Sequence, residues 1–187
     1  WPVLLDLLAP IRPRHYSVAS SPASDPHHGD LMVSRLQAPA RSGRGTFRGT
    51  GSGYLNTVRP GDTVYARIQP CREVFRIDHD AATPVIMIAA GTGLAPFRRA
   101  IADRLALAAN DIELAPALCY FGCDAPDADY MHSEELRIAE LAGVVKMRPA
   151  FSEAPVDGQM FVQHRIAAEA DKVWKLLGTG GAFGVDG

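Results

Sequence analysis

The 187-residue sequence has few cysteines, no excess of positive charge and no long hydrophobic run. Its three cysteines, Cys71, Cys119 and Cys123, form neither a paired disulfide framework nor a complete zinc motif, so we expect a reducing cytoplasm. A formal net charge of -2 argues against a protein that binds a nucleic-acid backbone. The apolar run at residues 84–97 is interrupted by glycines and predicts no membrane segment. A small ligand or a protein partner is the expected target.

Two patterns divide the chain. Residues 1–82 carry short β-rich runs separated by turn residues, which predicts an antiparallel barrel or sandwich. From Pro84 onwards, apolar strands alternate with helices, which predicts a parallel α/β sheet. We place the boundary in the polar stretch "DHDAAT", giving domains 1–82 and 83–187. The predicted strands are 15–20, 30–36, 62–68, 73–77, 84–89, 116–121, 144–148 and 181–185, and the predicted helices are 95–109, 133–142 and 161–177.

Both ends of the chain suggest that it is a piece of something longer. It begins at Trp1 without an initiating methionine or a basic leader, and each domain has too few strands. We therefore expect an incomplete barrel, a missing last strand in the second domain, and poor solubility and turnover of the isolated chain.

Two smaller expectations concern packing. The acidic run Asp127, Asp129, Glu134 and Glu135 is expected to cap the helix after Ser133, and Trp174 is expected to pack in the core.

Three short segments carry candidate ligand chemistry. The turn with Gly91, Thr92 and Gly93 follows an apolar strand and opens a helix, which suits a phosphate, although many such turns only reverse the chain. In "RPRHYSVASSP", strand alternation puts Arg14 and Tyr16 on one face. An arginine fork suits pyrophosphate and a tyrosine ring suits a flat heterocycle, while a plain surface strand is the alternative. The segment "RGTGSGYL" could form a phosphate nest or a hairpin turn.

Taken in order, these segments resemble a known family. "RPRHYS", "GTGSGYL", "GTGLAPFR", "YFGCDAPDADY" with "EEL", and "AFS" followed by "FVQHR" are similar to the reductase half of the NADPH-haemoprotein (cytochrome P-450) reductases, or diflavin oxidoreductases. The resemblance is strongest to the reductase part of bacterial self-sufficient fatty-acid hydroxylases, and it runs through nearly the whole chain. It implies a ferredoxin-reductase-like fold, with an FAD-binding antiparallel barrel followed by a parallel-sheet nucleotide-binding domain.

The resemblance also implies cofactors, partners and site residues. Hydride would pass from NAD(P)H to FAD, and electrons would continue to FMN on a separate domain and to a haem monooxygenase partner. Arg14 would hold the FAD pyrophosphate, Tyr16 would cover the isoalloxazine ring, and Ser17 would be the catalytic residue at its reactive nitrogen. The other implied FAD positions are His15, Met32, Val33, Ser34, Gly49, Thr50, Gly51 and Ser52. The implied nucleotide positions are Gly91, Thr92, Gly93, Ser152, Glu153, Gln159, Phe161 and Gln163.

Departures from the family bear on activity and on the coenzyme. The family's "CGD" cysteine has no counterpart in Gly184, Val185 and Asp186, so a non-catalytic remnant of a reductase is the alternative to an active module. An unrelated dinucleotide-binding dehydrogenase is a third possibility, against which the lack of an acid after a second strand counts. No metal site is expected, because His27 and His28 have no third ligand at a suitable spacing.

The positions that grip a 2'-phosphate in NADPH-using relatives have changed character. Glu153, Gln159 and Phe161 stand where those relatives carry arginine, lysine and tyrosine, and Asp124 replaces another arginine. We therefore expect a preference for NADH, because an exposed carboxylate repels the phosphate and accepts a ribose hydroxyl. Lys146, Arg148 or Arg165 could restore a phosphate grip by folding over the site.

Overall fold

The computed structural model describes residues 3, 7, 12–70 and 81–186. The chain divides into two compact units. The first comprises Trp1–Tyr16 with Arg35–Asp62, and the second comprises Ser17–Ser34 with Thr63–Gly187. The predicted strand 73–77 and Cys71 lie outside the described residues, and the predicted boundary between 82 and 83 stays a prediction.

The first unit contains, among its described residues, a two-stranded sheet and one helix. Strand β1 (Gln37–Pro39) pairs antiparallel with β2 (Thr46–Arg48), with Ala38 opposite Phe47. Gly43 and Gly45 both have positive φ in the connecting turn, a conformation that glycine adopts without strain. Helix α1 (Thr50–Leu55) follows β2 directly, where the sequence suggested a nest or a hairpin turn.

Strand formation in the first third of the chain is sparser than predicted. The predicted strands 15–20 and 30–36 meet only at an isolated antiparallel bridge between Val18 and Leu31. The predicted strand 62–68 is wrong, since the backbone there is irregular. Tyr65 and Ile68 would lie on opposite faces of such a strand. They are 95% and 90% exposed, so both of these apolar side chains are in solvent and neither packs on a core.

The second unit is built on a four-stranded parallel sheet in the order β5-β4-β3-β6. The predicted α/β elements are confirmed, with ends displaced by up to three residues. The strands are β3 (Val85–Ala90), β4 (Ala117–Cys123), β5 (Lys146–Phe151) and β6 (Ala182–Asp186). The helices are α2 (Ala95–Ala108), α3 (Ser133–Leu141), α4 (Val162–Ala168) and α5 (Ala170–Gly178). The long helix predicted over 161–177 is thus two helices, which meet at Glu169.

Helices cover both faces of this sheet. Alternate strand residues point to opposite faces, so Met87 and Phe121 pack with Phe97 of α2 on one side. Ile88 and Tyr120 pack with α4 and α5 on the other side. The chain runs outward from β3 to β4 and β5, then returns past β3 to β6. The order therefore reverses between β3 and β6, and the carboxyl end of β3 is the place where such sheets bind ligands.

Two packing expectations fail locally. Trp174 is 71% exposed, so its prediction as a core residue is wrong; Val173, one position earlier on α5, is buried in its place. No side-chain cap begins α3, whose N-cap is His132 in the left-handed conformation. Glu134 and Glu135 still lie in the first turn, where the helix dipole stabilises negative charge.

In the parts of the chain described above, no helix has both the length and the apolar character needed to cross a bilayer.

Candidate functional site

A glycine turn joins β3 to α2 at the point where the strand order reverses. Residues Gly91–Leu94 form a short 3-10 turn, in which Gly91 has a φ of +51° and nothing within 4 Å of its missing Cβ atom. No side chain caps the N-terminus of α2, and no acidic residue lies in its first turn. Backbone amides and the positive end of a 14-residue helix therefore lie at the carboxyl end of β3, and the phosphate site predicted there stays a prediction.

A second cluster lies at the carboxyl ends of β4 and β5. The Ser152 hydroxyl donates to Asp124 Oδ1 at 3.1 Å, and the Glu153 amide donates to the Asp124 carbonyl at 2.9 Å. Asp129 holds this loop by accepting the Asp124 amide at 2.7 Å. The Glu153 carboxylate is exposed. Two predicted nucleotide positions, Ser152 and Glu153, are thus joined to Asp124 in an acidic edge that offers acceptors.

The remaining predicted nucleotide positions lie farther along the same connection. The Gln159 backbone amide donates to the Val156 carbonyl at 2.9 Å across a tight turn. Phe161 is the N-cap residue of α4, and its ring lies 5.5 Å from the His164 ring in a tilted arrangement, whereas Gln163 is exposed on that helix. Gln159 is half-buried, whereas Phe161 is exposed.

The three cations that could have restored a phosphate grip are engaged or remote. Lys146 begins β5, so it lies at the amino end of the strand, opposite to the site. Arg148 Nε donates to both carboxylate oxygens of Glu169 at 2.9 Å. Arg165 donates to the Pro149 carbonyl at 3.3 Å.

In the first unit, three predicted FAD positions come together. A Cβ atom on Gly51 would lie 2.9 Å from the Tyr16 hydroxyl and 3.1 Å from Arg14 Cγ. Both side chains thus approach one glycine, although residues 14–16 do not form the predicted strand. The Ser52 hydroxyl accepts the Leu36 amide at 3.1 Å. The other predicted positions in this unit are His15 and Thr50, which are exposed, and Gly49, which is buried.

The predicted FAD positions Ser17, Met32, Val33 and Ser34 belong to the second unit. Met32 packs against the core formed by the sheet and α2, whereas Ser17 and Ser34 are exposed. Sequence reasoning missed the residue that ties this segment down, Arg98 of α2. Its position within "GTGLAPFR" and the acidic "EEL" segment were the available signals.

A buried polar network supports the opposite face of the sheet. The Tyr120 hydroxyl, which is fully buried, donates to Glu169 Oε2 at 2.9 Å beside Arg148. Burial alone raises the pKa of Glu169, but the hydrogen bonds from Tyr120 and Arg148 outweigh it and lower that pKa. Burial, with the Glu169 charge, raises the pKa of Tyr120. The network fixes the junction of α4 and α5, and sequence periodicity gave no sign of it.

Thiol and metal chemistry have little support among the described residues. Cys119 and Cys123 are buried, and burial raises the pKa of each thiol to about 12, which disfavours a thiolate nucleophile. No group of three histidine, cysteine or acidic side chains within residues 12–70 and 81–186 is placed to hold a metal ion. His28 pairs with Asp25 at 2.8 Å in an exposed loop.

Several known proteins are similar in sequence to this chain. No protein-family model matches the chain. A self-sufficient cytochrome P-450 monooxygenase of Oidiodendron maius is 42% identical over 98% of this chain, which spans 18% of that protein. Bifunctional cytochrome P-450/NADPH–P-450 reductases of Fusarium oxysporum and Bacillus subtilis are 40% and 38% identical over 91% and 98% of the chain. The chain spans less than a fifth of the length of these relatives.

Proposed function

We propose that this chain is the FAD- and nicotinamide-nucleotide-binding part of a reductase that supplies electrons to a haem monooxygenase. The observation that carries the proposal is the uncapped glycine turn at the strand-order reversal, in a chain whose relatives are monooxygenase and reductase fusions. The family's FMN-binding domain and haem domain would be the electron acceptors. The proposal includes a reducing, cytoplasmic setting, because the sequence has three cysteines and no paired disulfide framework.

The residues present fit a flavin. Gly51 allows Arg14, which can neutralise pyrophosphate, and Tyr16, which can cover a ring, to lie close together against α1. In the proposed site Arg14 and Tyr16 bind FAD, and Ser17 donates a hydrogen bond to it. Bound FAD supplies hydride acceptance from the nicotinamide and transfer of single electrons.

The residues at the ends of β3, β4 and β5 fit a nicotinamide nucleotide. Gly91, Thr92 and Gly93 offer amides and a hydroxyl to the phosphates, and the loop from Ser152 to Gln163 offers its surface to the adenosine end. Asp124 and Glu153 favour a ribose hydroxyl over a 2'-phosphate, so the proposed coenzyme is NADH.

Flavin retention tests the FAD assignment. In the full polypeptide that carries this chain, Arg14→Ala should weaken FAD binding by about 2 to 4 kcal/mol, because a charge-assisted bond to pyrophosphate is lost. Arg12→Ala is the matched control, since Arg12 is an exposed arginine two residues earlier. Equal flavin content in the two variants after dialysis would reject the assignment.

Coenzyme-dependent bleaching tests the reaction itself and separates the enzyme from its alternative. Addition of NADH should bleach the yellow flavin absorbance of the purified protein. A protein that binds flavin and coenzyme without bleaching would be the non-catalytic remnant, which the absence of a thiol at Gly184, Val185 and Asp186 keeps open.

A further inference from the structure

Arg98 joins three segments of the second unit. Its Nη1 atom donates to the Ala19 carbonyl at 3.2 Å and to Asp30 Oδ2 at 2.8 Å. Its Nε atom lies 3.1 and 3.0 Å from the two carboxylate oxygens of Glu135. Burial alone lowers the pKa of Arg98, but Asp30 and Glu135 outweigh it and raise that pKa, so the guanidinium stays charged. With 16% of its side chain exposed, Arg98 is a fixed junction.

The segment Ser17–Ser34 folds back on itself, and Arg98 contacts both of its arms. The Ala19 amide donates to the Asp30 carbonyl at 2.8 Å, and the Asp30 amide donates to the Ser20 hydroxyl at 2.9 Å. Because Arg98 bonds to Ala19 on one arm and Asp30 on the other, it fixes this paired segment to α2 as one body.

The same helix holds the segment at a second point. Ser21 is 1% exposed, and its hydroxyl donates to Asp103 Oδ1, five residues beyond Arg98 on α2. Two attachments on one rigid helix define the orientation of the segment, whereas a single attachment would leave it able to pivot.

We propose that Arg98 is a positioning residue. It sets the placement of the proposed flavin-binding segment, Ser17–Ser34, against the nucleotide turn, Gly91–Leu94. Ser17 lies two residues from Ala19 and Met32 lies two residues from Asp30, so both arms lead directly to candidate flavin residues. The nucleotide turn ends four residues before Arg98. Arg98 therefore connects the segment that carries candidate flavin residues to the helix that follows the glycine turn. This inference rests on the proposed function, since it concerns transfer between two bound groups.

Amide hydrogen exchange tests the positioning without any cofactor. Arg98→Gln in the full polypeptide should speed exchange in residues 17–34 by about tenfold or more, with the amides of β3 and β4 unchanged. Asp30→Asn, which removes one partner, should give a smaller increase in the same segment, and Arg98→Lys should partly restore protection. Arg137→Gln is the matched control, because it breaks an exposed arginine–glutamate pair on α3. Unchanged exchange in residues 17–34 would overturn the proposal.

Rapid-mixing kinetics test the consequence for transfer. Arg98→Gln should keep flavin content and coenzyme Kd within about threefold, while the rate of flavin reduction falls by about a hundredfold, since small misplacements of reacting groups cost that much. Arg98→Lys should recover part of the rate, and Arg137→Gln should match the unmodified protein. A full reduction rate in Arg98→Gln, or a fall explained entirely by lost flavin, contradicts the proposal. If the unmodified protein binds no flavin and reduces none, the proposed function fails, and hydrogen exchange alone decides the placement of the segment.

Discussion

The Tyr16 hydroxyl lies 2.9 Å from the point where Gly51 would carry a Cβ atom. Gly51 is on α1, within a segment whose glycines gave it no obvious helical character, and its hydrogen atom is what lets Tyr16 and Arg14 lie against the helix. The absence of a side chain at this position therefore shapes the proposed flavin site.

Gly51→Ala should displace Tyr16 and Arg14 and reduce flavin retention. A Cβ atom at position 51 would meet the Tyr16 hydroxyl and Arg14 Cγ, so both flexible side chains must leave their proposed positions beside the flavin. Gly53→Ala is the matched control, because it gains the same helix propensity on α1 but meets no atom within 4 Å. Flavin bound per chain after dialysis measures the effect, and equal retention in the two variants would contradict it.

Asp124 and Glu153 should make the protein prefer NADH over NADPH. Replacing Glu153 with glutamine should tighten NADPH binding by about tenfold, because a like charge about 4 Å from a solvated phosphate costs roughly 1 kcal/mol per unit charge. NADH binding should weaken or stay the same. Asp157→Asn is the control, since Asp157 is an exposed acid of the same loop whose left-handed backbone asparagine tolerates. Titration with both coenzymes decides it, and a native preference for NADPH that survives in Glu153→Gln would show that Glu153 is only a solvated charge.

Glu169→Gln should destabilise the second unit in a pH-dependent way. At neutral pH the loss should be about 1 to 3 kcal/mol, since Tyr120 and Arg148 lose a charged acceptor. The folded pKa of Glu169 lies below its ordinary 4.5, so the carboxylate stabilises the fold above that pH. The contribution disappears as the pH falls through the folded pKa, and the variant and the unmodified protein should converge in acid.

Urea unfolding at a series of pH values measures this difference. Glu113→Gln is the control, because Glu113 is exposed. A gap between the Glu169 variant and the unmodified protein that does not narrow below pH 4.5 would contradict the assignment of this network.

Gly184→Ala should destabilise the sheet edge. A Cβ atom there would lie 3.0 Å from Phe97 Cε1, so the ring must move, at a cost of about 1 to 3 kcal/mol. Gly178→Ala should be tolerated, because nothing lies within 4 Å of its missing Cβ atom. Thermal unfolding compares the two, and equal melting temperatures would refute the prediction. The same contact means that a thiol placed at 184 requires Phe97 to move.

The α/β half of the chain was predictable because its signals are local. Apolar runs such as 84–89 and 116–121 specify buried parallel strands by themselves, and the periodic helices between them need no knowledge of the partner. Strands of the first third are different. The run at 62–68 has the right residues, but pairing depends on distant segments, and Tyr65 stays exposed. Glycine-rich α1 is the converse case, because a segment with poor helix propensity is helical in the structure.

The motifs of the candidate site can be recognised in the sequence, whereas the hydrogen bonds between its residues cannot. Gly91, Ser152 and Arg14 stand in recognisable sequence contexts. The hydrogen bond between Ser152 and Asp124 joins residues 28 positions apart, and periodicity in the sequence does not predict it.

The prediction for Trp174 is wrong because Val173, Leu176 and Leu177 are the α5 residues that pack against the sheet. The spacing of two apolar residues on a helix does not determine which side of the helix faces the core.

The attachment of Ser21 to Asp103 spans 82 residues of sequence. A ribosome that adds roughly 5 to 20 residues each second exposes Ser21 about 4 to 16 s before its partner helix exists. During that interval the early segment has nothing to dock on, and long-range closure must wait for α2. Synthesis of this protein therefore includes a period in which the proposed flavin-binding segment is open to chaperones and proteases, and its protection begins only when α2 has been translated.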